Sequence, residues 1–162
     1  MLDSVCMPKM DIPTTQTSHP RQRSIHLTRT ERTGFILLGV VLAMLLAIAA
    51  WLNPDPSGIG THRQLGLPGC TMVTYFGIRC PGCGMTTSWA HTLNGDIHSG
   101  LRCNTAGVLF CVFTAAIIPW LLVLAIRGQT SNRNWFSRVS VPVLIAIVLI
   151  SIAEWLIRLA FA

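Results

Sequence analysis

Gly34-Phe35-Ile36-Leu37-Leu38-Gly39-Val40-Val41-Leu42-Ala43-Met44-Leu45-Leu46-Ala47-Ile48-Ala49-Ala50-Trp51-Leu52 is a run of nineteen residues without a single charge. As a helix rising about 1.5 Å per residue it is about 28 Å long, which matches the hydrocarbon core of a bilayer. Two further apolar blocks follow, at about 105–126 and 141–161. The composition agrees: 51% of the chain is hydrophobic and 11% charged, against about 25% charged in an ordinary soluble domain. The pattern predicts an all-α integral membrane protein with spans at about 34–52, 105–126 and 141–161. Ser140 is placed to cap the third span, with Pro142 in its first turn. Ala47-Ile48-Ala49 has the small-residue form of a signal cleavage site, but the segment before the apolar run exceeds thirty residues, so an uncleaved anchor is expected.

The charges outside these blocks set an orientation. The chain carries twelve basic residues and a net charge of +6. Lys9, Arg21, Arg23, Arg29 and Arg32 precede the first block, and Arg127, Arg133 and Arg138 lie between the second and third. The long 53–104 loop has only Arg63, Arg79 and Arg102. By the positive-inside rule the N-terminus is cytoplasmic, and the long loop and C-terminus face outward, in a multi-pass cell-membrane protein. The basic residues flank membrane segments instead of clustering with aromatics, so nucleic acid is not the expected partner; the bilayer is, with a membrane protein as the further class. Residues 1–33, rich in Pro, Ser and Thr, read as a disordered tail that holds Cys6, and 34–162 as the membrane domain.

The outward loop contains the chemistry. Asn53-Pro54-Asp55-Pro56-Ser57-Gly58 breaks the first helix, and a loop of about fifty residues is long enough to suggest a function. It carries Cys70, then Cys80-Pro81-Gly82-Cys83-Gly84-Met85-Thr86, then Cys103 at its end. Met85 to Leu93 has an apolar stripe at Met85, Trp89 and Leu93 and stops at Asn94-Gly95, which predicts a short amphipathic or re-entrant helix. Cys83 then sits near that helix's N-terminus, where the dipole favours a thiolate. Two thiols at i and i+3 allow three uses: a structural clamp by disulfide or metal, thiol–disulfide exchange, or a binding module. The clamp is the expected one. Zinc on Cys70, Cys80, Cys83 and Cys103 is its minor form, since Cys70 and Cys103 stand alone and do not make a second close pair; otherwise no cofactor is expected. Cys111, inside the second span, reads as a core thiol.

Cys70, the C-P-G-C-G-M-T run, Gly95-Asp96 and Asn104 together resemble a family of small bacterial membrane proteins catalogued as domain of unknown function two-seven-five-two. The resemblance covers about forty residues. It implies a membrane fold with Cys70, Cys80, Pro81, Cys83, Gly84, Thr86, Gly95, Asp96 and Asn104 as its structural motif, and it implies no activity. The family pattern has Arg after the motif threonine and Pro after the later asparagine, where this chain has Thr87 and Thr105.

Other polar residues add two expectations. Glu154 and Arg158 form an i, i+4 pair with the acid first, inside the third span. Such a pair is either an intrahelical bridge or a functional group, and Arg79 or Arg102 of the loop are the partners Glu154 would have in the second case. Asp96 is placed to cap a turn at 97–102 and Asn104 to cap the second span. Cys83, Thr87 and His91 share a helix face, yet Cys83 and His91 stand about 12 Å apart along it, too far for a catalytic dyad. No Walker loop, G-x-S-x-G elbow or H-E-x-x-H occurs. The sequence therefore describes a non-enzymatic structural or accessory membrane component, with a redox protein using Cys80 and Cys83 as the alternative.

Overall fold

A computed structural model of the chain describes residues 25–130 and 133–161. Cys6 and the tail to residue 24 lie outside them. The fold is helical, with three helices long and apolar enough to cross a membrane and shorter helices between the first two. Among the described residues, β1 (Ile25–His26) pairs antiparallel with β2 (Gln129–Thr130).

The first long helix, α1 (Arg29–Trp51), starts a full turn before the apolar run. The reason is a capping box: Thr28 Oγ1 accepts from the Glu31 amide at 3.2 Å, and the Glu31 carboxylate accepts from the Thr28 amide at 2.9 Å. The second long helix, α5 (Thr105–Arg127), packs against α1. Gly39 faces Leu122 in this contact, where a Cβ would meet the leucine at an ordinary 3.6 Å. At the far end of the pair, Arg32 Nε donates to the Ala125 carbonyl at 2.8 Å. That carbonyl belongs to the last turn of α5, where a cation meets both an orphan acceptor and the negative end of the dipole.

The third long helix, α6, runs Arg133–Ala160. The start expected at Ser140 and Pro142 is corrected, for the helix passes through both residues. A proline removes one intrahelical hydrogen bond, and a long helix on either side of it holds the conformation. Leu37 of α1 and Leu149 of α6 are each 60% exposed, and they belong to apolar faces that suit lipid.

The 53–104 region folds into more than the one helix expected. It contains a 3-10 turn at Thr61–Leu65 and the helices α2 (Thr71–Phe76), α3 (Met85–Leu93) and α4 (Ile97–Cys103). Helix α3 has the limits read from the sequence. It packs on α1, α4 and α5 through a seam of small buried residues: Thr87, Ser88, Ala90, Ala106 and Gly107. Trp89 and Phe110 close the seam with ring centroids 5.4 Å apart. Asp96 caps α4 by accepting from the Ser99 amide, and its second oxygen lies 3.4 Å from His91 Nδ1. Asn104 ends α4 and starts α5 without an intervening loop.

The α1–α5 contact gives a first prediction. Arg32→Met keeps the length of the side chain but leaves the Ala125 carbonyl without its donor, and should destabilise the purified protein by about 1–3 kcal/mol. Thermal unfolding in detergent measures this; an unchanged midpoint would show that the arginine contributes nothing to the pairing.

Candidate functional site

The site begins with a turn. In Cys80-Pro81-Gly82-Cys83 the Cys83 amide donates to the Cys80 carbonyl at 3.0 Å, and the Met85 amide to the Gly82 carbonyl at 3.1 Å. Gly84 then starts α3 in the left-handed region, with φ of 87°. A Cβ at Gly84 would lie 2.8 Å from the Cys103 carbonyl oxygen and 2.9 Å from that of Gly58, so conformation and space both require glycine there. Gly82, one step from Cys83, has open space around it.

The turn brings the two motif thiols together. Cys80 Sγ and Cys83 Sγ are 3.0 Å apart, and the Cys80 amide points at Cys83 Sγ from 3.2 Å. Cys70 joins them from the head of α2, and the three sulfurs all lie within 4.8 Å of one another. Burial, reinforced by the neighbouring thiols, pushes the Cys83 thiol up to about 12. The Val73 amide, with help from Cys83, brings the more open Cys70 thiol down to about 7. The three thiols border a cavity of about 410 Å³, whose wall also includes His62, Arg63 and Thr86.

Cys103 is not part of this group. It is buried, with its sulfur facing Gly58, and burial raises its thiol. The sequence proposed four ligands, and the structure brings three of them together. Cys103 closes α4 on the far side of Gly84, so the same backbone contact that seats the motif glycine separates this thiol from the rest. The five described cysteines are free thiols. A cluster of three thiols can hold a metal ion of thiophilic character.

A second tier of polar groups fixes the turn from outside. Asn104, 1% exposed, donates through Nδ2 to the carbonyls of Pro81 at 3.1 Å and Cys83 at 3.2 Å, while its Oδ1 accepts from the Gly107 amide at 2.7 Å. Ser151 Oγ of α6 donates to the Pro81 carbonyl at 3.0 Å, and Trp155 Nε1 to the Arg79 carbonyl at 2.8 Å. One turn on, Arg158 donates to the Cys103 carbonyl at 3.0 Å and pairs with Glu154. Glu154 also accepts from the Thr105 amide at 3.1 Å.

Glu154 is therefore held by Arg158 and the first amide of α5, and neither Arg79 nor Arg102 is its partner. A carboxylate at this end of a helix meets the positive end of the dipole. Both departures from the family pattern have a structural use. Thr105 supplies an amide hydrogen that proline lacks, and Glu154 takes it. Thr87 is fully buried, with its hydroxyl 2.8 Å from that of Thr61, which in turn accepts from the Asp55 amide. Gly95 has φ of 86° at the end of α3, and Thr86 lines the cavity.

Sequence reasoning missed Ser151, Trp155 and Thr61. Ser151 and Trp155 act on backbone carbonyls seventy or more residues away, and Thr61 on the Thr87 hydroxyl; a single serine or tryptophan in an apolar block carries no spacing that announces such a bond.

Residues 70–118 match the family described as Protein of unknown function (DUF2752), the family that the motif resembles. The match includes all three clustered thiols and Asn104. No curated protein and no solved structure matches the chain.

Two substitutions test the construction of the turn. Gly84→Ala combines a left-handed backbone with a clash against two carbonyls and should cost at least about 3 kcal/mol, whereas Gly82→Ala should stay within about 1 kcal/mol. Protein level in isolated membranes and thermal midpoint report both. Equal behaviour of the two variants would overturn the close packing of Gly84. Asn104→Asp keeps the acceptor for Gly107 but removes both donors, and should cost about 2–3 kcal/mol by the same measurements.

Proposed function

We propose that the chain is a non-enzymatic membrane component whose outward loop is clamped by a metal–thiolate centre of Cys70, Cys80 and Cys83, with zinc as the ion. The convergence of three sulfurs within 4.8 Å supports this reading. A tetrahedral zinc ion with Zn–S bonds of about 2.3 Å holds its sulfurs about 3.8 Å apart, so small side-chain adjustments suffice. An odd number of thiols is poorly served by a disulfide, which leaves one sulfur over. A divalent cation accepts all three as thiolates and binds at the price of releasing their protons. The fourth position would face the cavity, where water or a small ligand can complete the shell.

In this reading the N-terminal tail and the 127–138 segment lie in the cytoplasm and the cysteine loop lies outside, which the distribution of basic residues supports. Binding of the ion ties α2 to the head of α3, and Asn104 and Ser151 transmit that restraint to α5 and α6. The function is thus structural: a fixed platform at the bilayer edge, presented to lipid or to a membrane partner.

A second reading is supported by the 3.0 Å approach of Cys80 to Cys83. In thiol–disulfide exchange the pair would form one disulfide, losing two electrons and two protons to a substrate disulfide, with Cys70 at hand as a third thiol.

Elemental analysis of the full chain, purified without chelators, separates the two. The clamp predicts about one zinc per chain, lost in Cys70→Ser and Cys83→Ser and kept in Cys103→Ser. Absence of metal together with a mixed disulfide trapped in Cys80→Ser or Cys83→Ser establishes exchange instead.

A further inference from the structure

A second cavity, of about 520 Å³, shares no lining residue with the one beside the thiols, and its wall includes Arg79, Arg102 and Arg158. These arginines come from three different elements: the segment before the C-x-x-C turn, α4, and the end of α6. Among the described residues that line the cavity none is acidic. Glu154 engages Arg158 from outside that wall. Arg79 has one weak contact, at 3.5 Å, with the Ser57 carbonyl, and the exposed Arg102 has no partner among the described residues. One guanidinium group is thus uncommitted and a second only weakly held beside a third, in a chain with few charges at all.

Such a concentration of like charge is unfavourable unless something offsets it. The backbone that carries them is nevertheless held in place. Trp155 holds the Arg79 carbonyl, and Arg158 holds that of Cys103, the residue after Arg102. The rest of the wall carries no charge: Gly77 and Ile78 come from the loop, Trp155 and Leu159 from α6, and the 88% exposed Phe161 follows directly after that helix. The cavity therefore has a cationic floor at the loop and an apolar side at the end of a spanning helix, which is where headgroups meet acyl chains. Guanidinium forks match phosphate oxygens in geometry as well as charge, and basic pockets at helix ends are suited to anionic headgroups.

We propose that this three-arginine cavity binds the phosphate headgroup of an anionic phospholipid, with an acyl chain lying against Trp155, Leu159 and Phe161. The site is separate from the thiol cluster and does not depend on its occupancy. By joining the 79–80 segment, α4 and α6 through one anion, the lipid would fasten the loop to the third span.

The test uses the full chain in nanodiscs of phosphatidylcholine with a minor share of phosphatidylglycerol, followed by native mass spectrometry of the lipid retained after extraction. The expected result is one retained phosphatidylglycerol per chain, enriched over phosphatidylcholine. The enrichment should fall roughly thirty-fold in Arg79→Gln/Arg102→Gln, about fivefold for each arginine, and remain in Arg63→Gln, an arginine of the same loop outside this cavity. Equal retention of the two lipids, persistence in the double variant, or an equal loss in Arg63→Gln overturns the proposal. So does displacement by inorganic phosphate, which would make the cavity a site for a free anion. If the double variant does not accumulate, phosphatidylglycerol with a photoactivatable acyl chain decides on the unaltered protein. Crosslinks concentrated at 155–161 support the site, and crosslinks spread evenly over α1, α5 and α6 overturn it.

Discussion

The carbonyl oxygen of Pro81 accepts from Asn104 at 3.1 Å and from Ser151 at 3.0 Å, so both of its lone pairs are used. The rest of the arrangement depends on that saturation. A C-x-x-C turn is irregular backbone, and where its carbonyls are shielded from water it is stable only when protein supplies the donors. Asn104 supplies them from the junction of α4 and α5, Ser151 from the C-terminal half of α6. The turn is thereby fixed to two spanning helices at once, and the orientation of its thiols follows.

The bonds of α6 to the loop form a ladder along one side of the helix. Ser151, Trp155 and Arg158 meet the carbonyls of Pro81, Arg79 and Cys103 in order, and Glu154 takes the first amide of α5. Positions 151, 154, 155 and 158 share a face by the helical period. Each of these groups would be costly in lipid without a partner, and each has one. The polar residues of the third span are thus the complement of the loop's backbone, which is why Glu154 needs no cation from the loop.

Much of the architecture was legible in the chain. The three apolar blocks, the limits of α3, the capping roles of Asp96 and Asn104, and the Glu154–Arg158 pair all rest on local signals: length without charge, side-chain oxygens before a helix, and i, i+4 spacing. The ends of α1 and α6 were less legible. Thr28 and Glu31 extend α1 into polar sequence, and the continuation of α6 through Pro142 overrides a local preference with a cooperative one. The site was half legible. C-x-x-C marked two thiols, but choosing Cys70 and setting Cys103 aside depends on where α2 and α4 come to rest.

By itself the sequence determined the class of object, an all-helical chain with three spans and a cysteine-bearing loop, because lipid imposes length and composition on every segment that crosses it. It also determined that Gly84 and Asn104 stand at helix starts, since those preferences act within a few residues. Only the tertiary structure decided which thiols meet, how the long loop divides into short helices, and that three arginines distant in sequence share one cavity. These are contacts between segments tens of residues apart, set by the packing of small residues between α3 and α5 and by the hydrogen-bond ladder on α6, and no local pattern encodes them.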